Sequence, residues 1–171
     1  MIRLDDIATA TAVTEWLGLR DVAVASIVFD SRKAGPDTLF VAIRGTQADG
    51  HNYLQQVLAQ GCVAVVTDHI VEMPEGVTQI VVPDTAKALG ELSHAFYGNP
   101  SEQLILVGIT GTNGKTTCTT LLHRLYTQLG YKTGLLSTVV NKIGEEEIPS
   151  THTTPDALTL NELLHTMVEQ S

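Results

Sequence analysis

Lys115 closes a short Gly-rich run, Thr110-Gly-Thr-Asn-Gly-Lys-Thr-Thr117. The residues around it decide what its ammonium can do. Before the run comes an apolar, β-branched stretch, Leu104 to Ile109; after it, apolar side chains recur at helical spacing. Strand, tight turn and helix N-terminus in that order make a phosphate cradle, because the N–H groups of the turn and of the first helical turn converge on an anion. In such a cradle Lys115 reaches the β- and γ-phosphates and acts as the catalytic cation, while the Thr116 hydroxyl ligates Mg²⁺. The spacing departs from the common pattern. Counting back from Gly114, the first consensus glycine would fall on Ile109, whereas the glycines are Gly108 and Gly111. The reading therefore rests on strand–loop–helix context plus Gly114-Lys115-Thr116, and it predicts an ATP-type phosphate loop.

Other polar clusters are less telling alone. Asp30-Ser31-Arg32 reads as a strand-end turn with a surface salt bridge, and Gln47-Ala-Asp-Gly50 as a polar loop. At Thr153-Thr154-Pro155, helix capping explains most of the residue choice, with Thr154 as N-cap and Pro155 at the first helical position. The histidines at 51, 69, 94, 123 and 165 lack metal-ligand spacing, and His94 and His123 read as helix-surface residues. Glu145 to Glu147 reads as a solvated turn. Cys62 and Cys118 read as buried free thiols of a reducing compartment, with no catalytic thiol.

The elements that must hold these groups follow in order. Residues 1–20 read as a short helix and a turn, with Trp16 and Leu17 packing. Strands are expected at 22–29, 38–43, 62–67 and 79–82, and a short helix over 51–60 stopped by Gly61. Asp84 is placed to cap a helix reaching Tyr97, with Leu89, Leu92 and Phe96 inward. Gly98-Asn-Pro-Ser101 breaks it, so the domain boundary is expected there: 1–98, then 99–171. In the second part a helix over 114–129 should turn Cys118, Leu121, Leu122, Leu125 and Leu129 to a sheet and stop at Gly130. A strand at 133–138 should lie parallel to 104–109. A hairpin around Gly144 and a last helix with Leu158, Leu163, Leu164 and Met167 inward complete the chain. The fold class is α/β: a small N-terminal α/β domain followed by the truncated start of a P-loop parallel-sheet domain.

Length and charge bound the options. At 171 residues the chain holds one ordinary domain or two small ones. The net charge of −9 argues against nonspecific nucleic-acid binding, so an anionic ligand must be held by local N–H groups and a few cations. No apolar run is long enough to span a bilayer, and the first residues lack a signal-peptide layout, so the cytoplasm is expected. A GTPase would want Asn-Lys-x-Asp, and Asn141-Lys-Ile-Gly144 lacks the Asp. The Lys after Gly114 argues against a dinucleotide fold.

Thr110 to Thr117 resembles the ATP loop of the Mur ligases and their folylpolyglutamate synthetase relatives. Three flanking motifs are similar to the Mur ligase family in order and spacing: Phe29-Asp-Ser-Arg32 followed by Gly35 to Gly45, Gln47-Ala-Asp-Gly-His51, and Thr151-His-Thr-Thr-Pro155. The resemblance covers nearly the whole chain. It implies ATP-driven amide formation in peptidoglycan precursor synthesis. The D-Glu carboxylate of UDP-N-acetylmuramoyl-L-Ala-D-Glu becomes an acyl phosphate, and the amine of a diamino acid, diaminopimelate or lysine, displaces phosphate. By the same resemblance Phe29 and Ser31 contact the uridine diphosphate region, and Thr46, Gln47 and Ala48 lie over the uridine. Gly111, Thr112, Asn113, Gly114, Lys115, Thr116 and Thr117 hold ATP, Thr116 holds Mg²⁺, and His152, Thr153 and Thr154 reach the muramoyl peptide. His152 stands where some relatives have Asn, and Phe29 where some have Leu.

Two features imply an N-terminal piece of a longer enzyme, for which a monomer is the expectation. No apolar run after Lys115 ends in an acidic Mg²⁺ ligand, and about 70 residues are too few to bury both faces of a parallel sheet. The piece alone is then expected to be inactive. The competing readings are a UDP-sugar and ATP-binding module without catalysis, and another Mur or folylpolyglutamate-type ligase.

Overall fold

The computed structural model describes residues 1–45, 48–144, 146–149 and 155–170. The chain divides into two compact units, Met1–Phe96 and Tyr97–Ser171.

In the first unit, β1 (Ile2–Arg3) leads directly into helix α1 (Leu4–Ala8) and pairs antiparallel with β3 (Ala23–Val24). The main sheet has the order β2-β7-β6-β5-β4, with β2 (Glu15–Leu17), β4 (Ser26–Val28), β5 (Thr38–Val41), β6 (Ala64–Thr67) and β7 (Thr78–Val81). The last four run parallel, with Ile27 beside Leu39, Phe40 beside Val65 and Val66 beside Ile80; β2 closes one edge antiparallel. All four residues of β5, β6 and β7 are buried, so these strands show no apolar–polar alternation; buried Gln79 of β7 donates from its amide to the Thr67 hydroxyl at 2.8 Å. Phe40 packs with Val28, Val65, Leu54 and Val57 on one face, the last two from α2 (Leu54–Ala59). Alternation puts Leu39 and Val41 on the opposite face, also fully buried.

Local chemistry sets the helix ends. The Asp84 carboxylate accepts from the Lys87 N–H at 2.9 Å and starts α3 (Thr85–Phe96), which buries Ala88, Leu89 and Leu92. A 3₁₀ turn over Gly50–Tyr53 precedes α2, and Gly61, at φ +93°, ends it. The expected strand 22–29 is interrupted between β3 and β4, and Trp16 lies in a strand instead of a helix or turn.

The second unit contains α4 (Pro100–Gln103), α5 (Lys115–Gln128), β8 (Gly134–Leu135), β9 (Val140–Ile143), β10 (Glu146–Pro149) and α6 (Ala157–Glu169). The hairpin of β9 and β10 turns at Gly144 as expected, and β8 joins it antiparallel. Two expectations fail. The stretch 104–109 pairs with no strand among the described residues, and 133–138 shortens to the two residues of β8. Strand character needs a hydrogen-bonded neighbour, and an apolar run alone does not supply one. Ile105 is accordingly 98% exposed. α5 packs against β8 but buries no residue of its own; Leu121 and Leu125 on it and Leu129 just past it are exposed. A cleft of about 580 Å³ lies there, lined among others by Leu106, Ile109, Leu122, Tyr126 and Met167. At α6 the N-cap is Asp156, whose carboxylate accepts from the N–H and hydroxyl of Thr159 at 2.9 and 2.8 Å; Thr154, expected in that role, lies outside the described residues.

Candidate functional site

Parallel strands leave their carboxyl ends on one edge of a sheet, where loops can gather around a ligand. Here three loops share that edge. Phe29 and Ser31 follow β4, both half-buried; Arg44 to Asp49 follow β5; Asp68 and His69 follow β6. Asp30 caps the 3₁₀ turn Ser31–Lys33 by accepting from the Arg32 N–H at 3.0 Å. It also receives the Arg32 guanidinium at 2.7 to 3.2 Å. These hydrogen bonds, side chain first, hold the Asp30 pKa at about 2.

The loop after β5 is closed at its base. Arg44 and Asp49 form an antiparallel bridge flanked by Gly45 N–H to Ala48 O at 2.9 Å and Gly50 N–H to Ile43 O at 2.8 Å. Ala48 is exposed within it; Thr46 and Gln47 lie outside the described residues. Gly50 is required, since a Cβ there would stand 2.8 Å from the Ile43 nitrogen and 2.9 Å from the Ala42 Cα.

A charged cluster stands at the root of this loop, and it went unnoticed in the sequence. The Arg44 Nε lies 2.6 Å from Asp68 Oδ2. His51 Nδ1 meets Asp49 Oδ1 at 2.6 Å, and its Nε2 lies 3.3 Å from Asp68 Oδ1. His69 Nδ1 is 2.5 Å from the same Asp68 oxygen, and the two imidazoles stack at 4.9 Å. Burial would raise the Asp68 carboxyl, but the hydrogen bonds from His69 and Arg44 and the nearby charges outweigh it and hold it below the usual carboxylate range. Asp49 is also lowered, chiefly by the backbone and then the ring of His51. The possible ligand atoms of His51, Asp68 and His69 lie within 4.8 Å of one another. The arrangement is nevertheless an ion-paired network rather than a metal site, because the Arg44 guanidinium already holds the carboxylate and would repel a cation.

In the second unit, Gly114 at φ +80° turns the chain into α5, and no side chain caps that helix. Its first N–H groups therefore face the loop Gly111 to Gly114, the arrangement an anion needs. The Lys115 ammonium folds back to the Gly111 carbonyl. Gly111, Thr112, Asn113, Gly114, Lys115 and Thr117 are exposed and Thr116 is half-buried. These residues suit a phosphate group with its cation. His152, Thr153 and Thr154 lie outside the described residues. Cys118 is exposed and Cys62 buried, so only one thiol matches the expectation. His123 departs from its surface reading as well: its Nε2 is buried without a partner among the described residues, and burial, helped by Lys142, pushes its pKa down. His94 is half-buried.

The profile described as "Mur ligase family, catalytic domain" matches residues 23–97, and that of the "Mur ligase middle domain" matches 109–171. The chain belongs to the Mur ligase family. Over 170 residues it is 46% identical to the UDP-N-acetylmuramoyl-L-alanyl-D-glutamate–2,6-diaminopimelate ligase of Phocaeicola vulgatus, covering 99% of this chain and 35% of that one. A Mur ligase of the same name has a solved structure that aligns over 99% of this chain and 34% of its own, with a TM-score of 0.72 at 22% identity. The MurF ligase of Thermotoga maritima, solved in complex with ADP, aligns over 85% of this chain and 30% of its own, with a TM-score of 0.53 at 21% identity. At those identities the structural likeness concerns the fold. The chain spans about a third of the length of the curated Mur ligases it matches.

Proposed function

We propose that this Mur ligase chain supplies the uridine-nucleotide pocket and the ATP loop of an ADP-forming ligase that joins a diamino acid, diaminopimelate or lysine, to UDP-N-acetylmuramoyl-L-alanyl-D-glutamate. The observation that carries the reading is the uncapped N-terminus of α5 behind Gly114-Lys115-Thr116, in a chain whose parallel sheet also gathers three loops on its carboxyl edge. The 46% identity to a named diaminopimelate ligase over nearly the whole chain supports this substrate class. Its soluble, nucleotide-linked substrates suit the cytoplasm, and no helix among the described residues is long and apolar enough to cross a membrane.

In this reading Phe29 offers an apolar surface to the uracil, and the Ser31 hydroxyl and the loop of Thr46, Gln47 and Ala48 bind the rest of the uridine diphosphate. His152, Thr153 and Thr154 contact the muramoyl peptide. The N–H groups of Gly111 to Thr117 orient the ATP phosphates, Lys115 neutralises charge as it builds on the transferring group, and Thr116 lends its hydroxyl to Mg²⁺. Positioning and charge neutralisation are the main tasks in phosphoryl transfer. ATP with Mg²⁺ supplies the activated phosphoryl group that makes the carboxylate acylating. The exposed 104–109 stretch and the exposed leucines of α5 suit further strands of a middle domain, and the 171-residue chain alone is expected not to turn over.

Calorimetry with uridine diphosphate and the UDP-muramoyl dipeptide, beside a coupled assay for ADP release with diaminopimelate or lysine, tests this. Binding without turnover by this chain, and turnover by a chain of the relatives' full length, is expected. Failure of the chain to bind any uridine nucleotide would sink the reading.

A further inference from the structure

Arg44 and His51 stand at the two ends of one loop, and both reach the same carboxylate, Asp68, on the neighbouring strand's carboxyl end. From this convergence we propose that Asp68, with Arg44 and His51 as its two hooks, is a positioning residue for the nucleotide loop 45–48. The inference rests on the reading of that loop as the uridine loop.

The argument runs through the backbone. Among the described residues, the base of the loop is closed by one bridge and by two hydrogen bonds, Gly45 N–H to Ala48 O and Gly50 N–H to Ile43 O. Both hydrogen bonds lie within the loop and its own strand, so neither ties it to the rest of the sheet. Asp68 does so twice. Arg44 Nε and Nη2 approach Oδ2 and Oδ1 at 2.6 and 3.1 Å, a two-pronged contact that fixes the direction of the guanidinium. On the far side His51, with its side chain 8% exposed, spans from Asp49 to Asp68. A neutral ring can donate Nδ1–H to Asp49 at 2.6 Å and accept the Asp68 backbone N–H at 3.4 Å; a protonated ring donates to both carboxylates. In either state the ring joins the end of the loop to the end of β6. Ordering a loop before its ligand arrives removes part of the entropic cost of binding. A network placed at the loop's root therefore acts on affinity without touching the ligand.

The test uses the whole chain as wild type and as Asp68→Ala, Asp68→Asn and His51→Ala. Four readouts are taken: affinity for uridine diphosphate, affinity for ADP, amide hydrogen exchange at Gly45 and Gly50, and the thermal midpoint. Asp68→Ala is expected to weaken uridine diphosphate about tenfold. It should speed exchange at both glycines and lower the thermal midpoint by a few degrees, with ADP affinity as in wild type. Asp68→Asn, which keeps an acceptor and loses the charge, should fall between. A mere loss of fold would lower the midpoint and ADP affinity together. Wild-type exchange rates at Gly45 and Gly50 in Asp68→Ala overturn the proposal whatever binds. So does unchanged uridine diphosphate affinity in Asp68→Ala and His51→Ala. If the wild type binds no uridine diphosphate, the uridine reading itself falls, and the role in binding falls with it.

Discussion

The ammonium of Lys115 donates to the carbonyl oxygen of Gly111, four residues back in its own loop. The one strong cation of the loop is thus parked on a neutral acceptor, and a phosphate is a better partner because the hydrogen bond becomes charge-assisted on both sides. Lys115→Ala should cost roughly 1.5–3 kcal/mol of nucleotide binding, about ten- to a hundredfold in Kd. The exposed position predicts an unchanged thermal midpoint. Titration calorimetry with ADP and with ATP checks both, and ADP affinity equal to wild type would disprove the assignment of Lys115 to phosphate.

Gly50 lies against the backbone of Ala42 and Ile43, with no room for a Cβ. Gly50→Ala should therefore displace the root of the 45–48 loop and destabilise the chain by about 1–3 kcal/mol, the range for overpacking. Urea unfolding measures it. Gly35→Ala is the control, since a Cβ at Gly35 meets nothing within 4 Å.

Acid should loosen the turn after β4 at a defined pH. The Asp30 pKa is lowered in the folded chain to about 2, against about 4 when unfolded. A lowered carboxyl pKa contributes stability that is present in full above the unfolded value and lost as pH falls through the folded one. The Asp30–Arg32 contribution should thus be complete above about pH 4 and gone below about pH 2. Asp49 and Asp68 are lowered as well and add in the same direction. Carboxyl-carbon NMR titration locates the Asp30 midpoint, and an ordinary midpoint near 4 would contradict the turn geometry. In Asp30→Asn that pH dependence disappears.

Two leucines on helices should behave oppositely. Leu92 on α3 is fully buried, and Leu92→Ala should cost about 2–5 kcal/mol. Leu121 on α5 is 59% exposed, and Leu121→Ala should change stability by no more than about 0.5 kcal/mol. Denaturant curves on the two variants decide; a large loss from Leu121→Ala would mean that α5 rests on a packed layer after all.

The sequence by itself determined what depends on nearest neighbours along the chain. The Gly114-Lys115-Thr116 turn into a helix, the Asp84 cap, the glycine stops at Gly61 and Gly130 and the hairpin at Gly144 all lie within a few residues of the signal that encodes them. The buried parallel strands were legible too, as largely apolar runs. Tertiary structure decided what depends on partners distant in sequence. Leu104 to Ile109 has strand composition but, among the described residues, no strand beside it, and composition cannot supply the hydrogen bonds. The same holds for Asp68. It stands 24 residues from Arg44 and 17 from His51, a spacing that fits no helix face or strand alternation. The three meet only because β5 and β6 are parallel neighbours whose carboxyl ends share one edge.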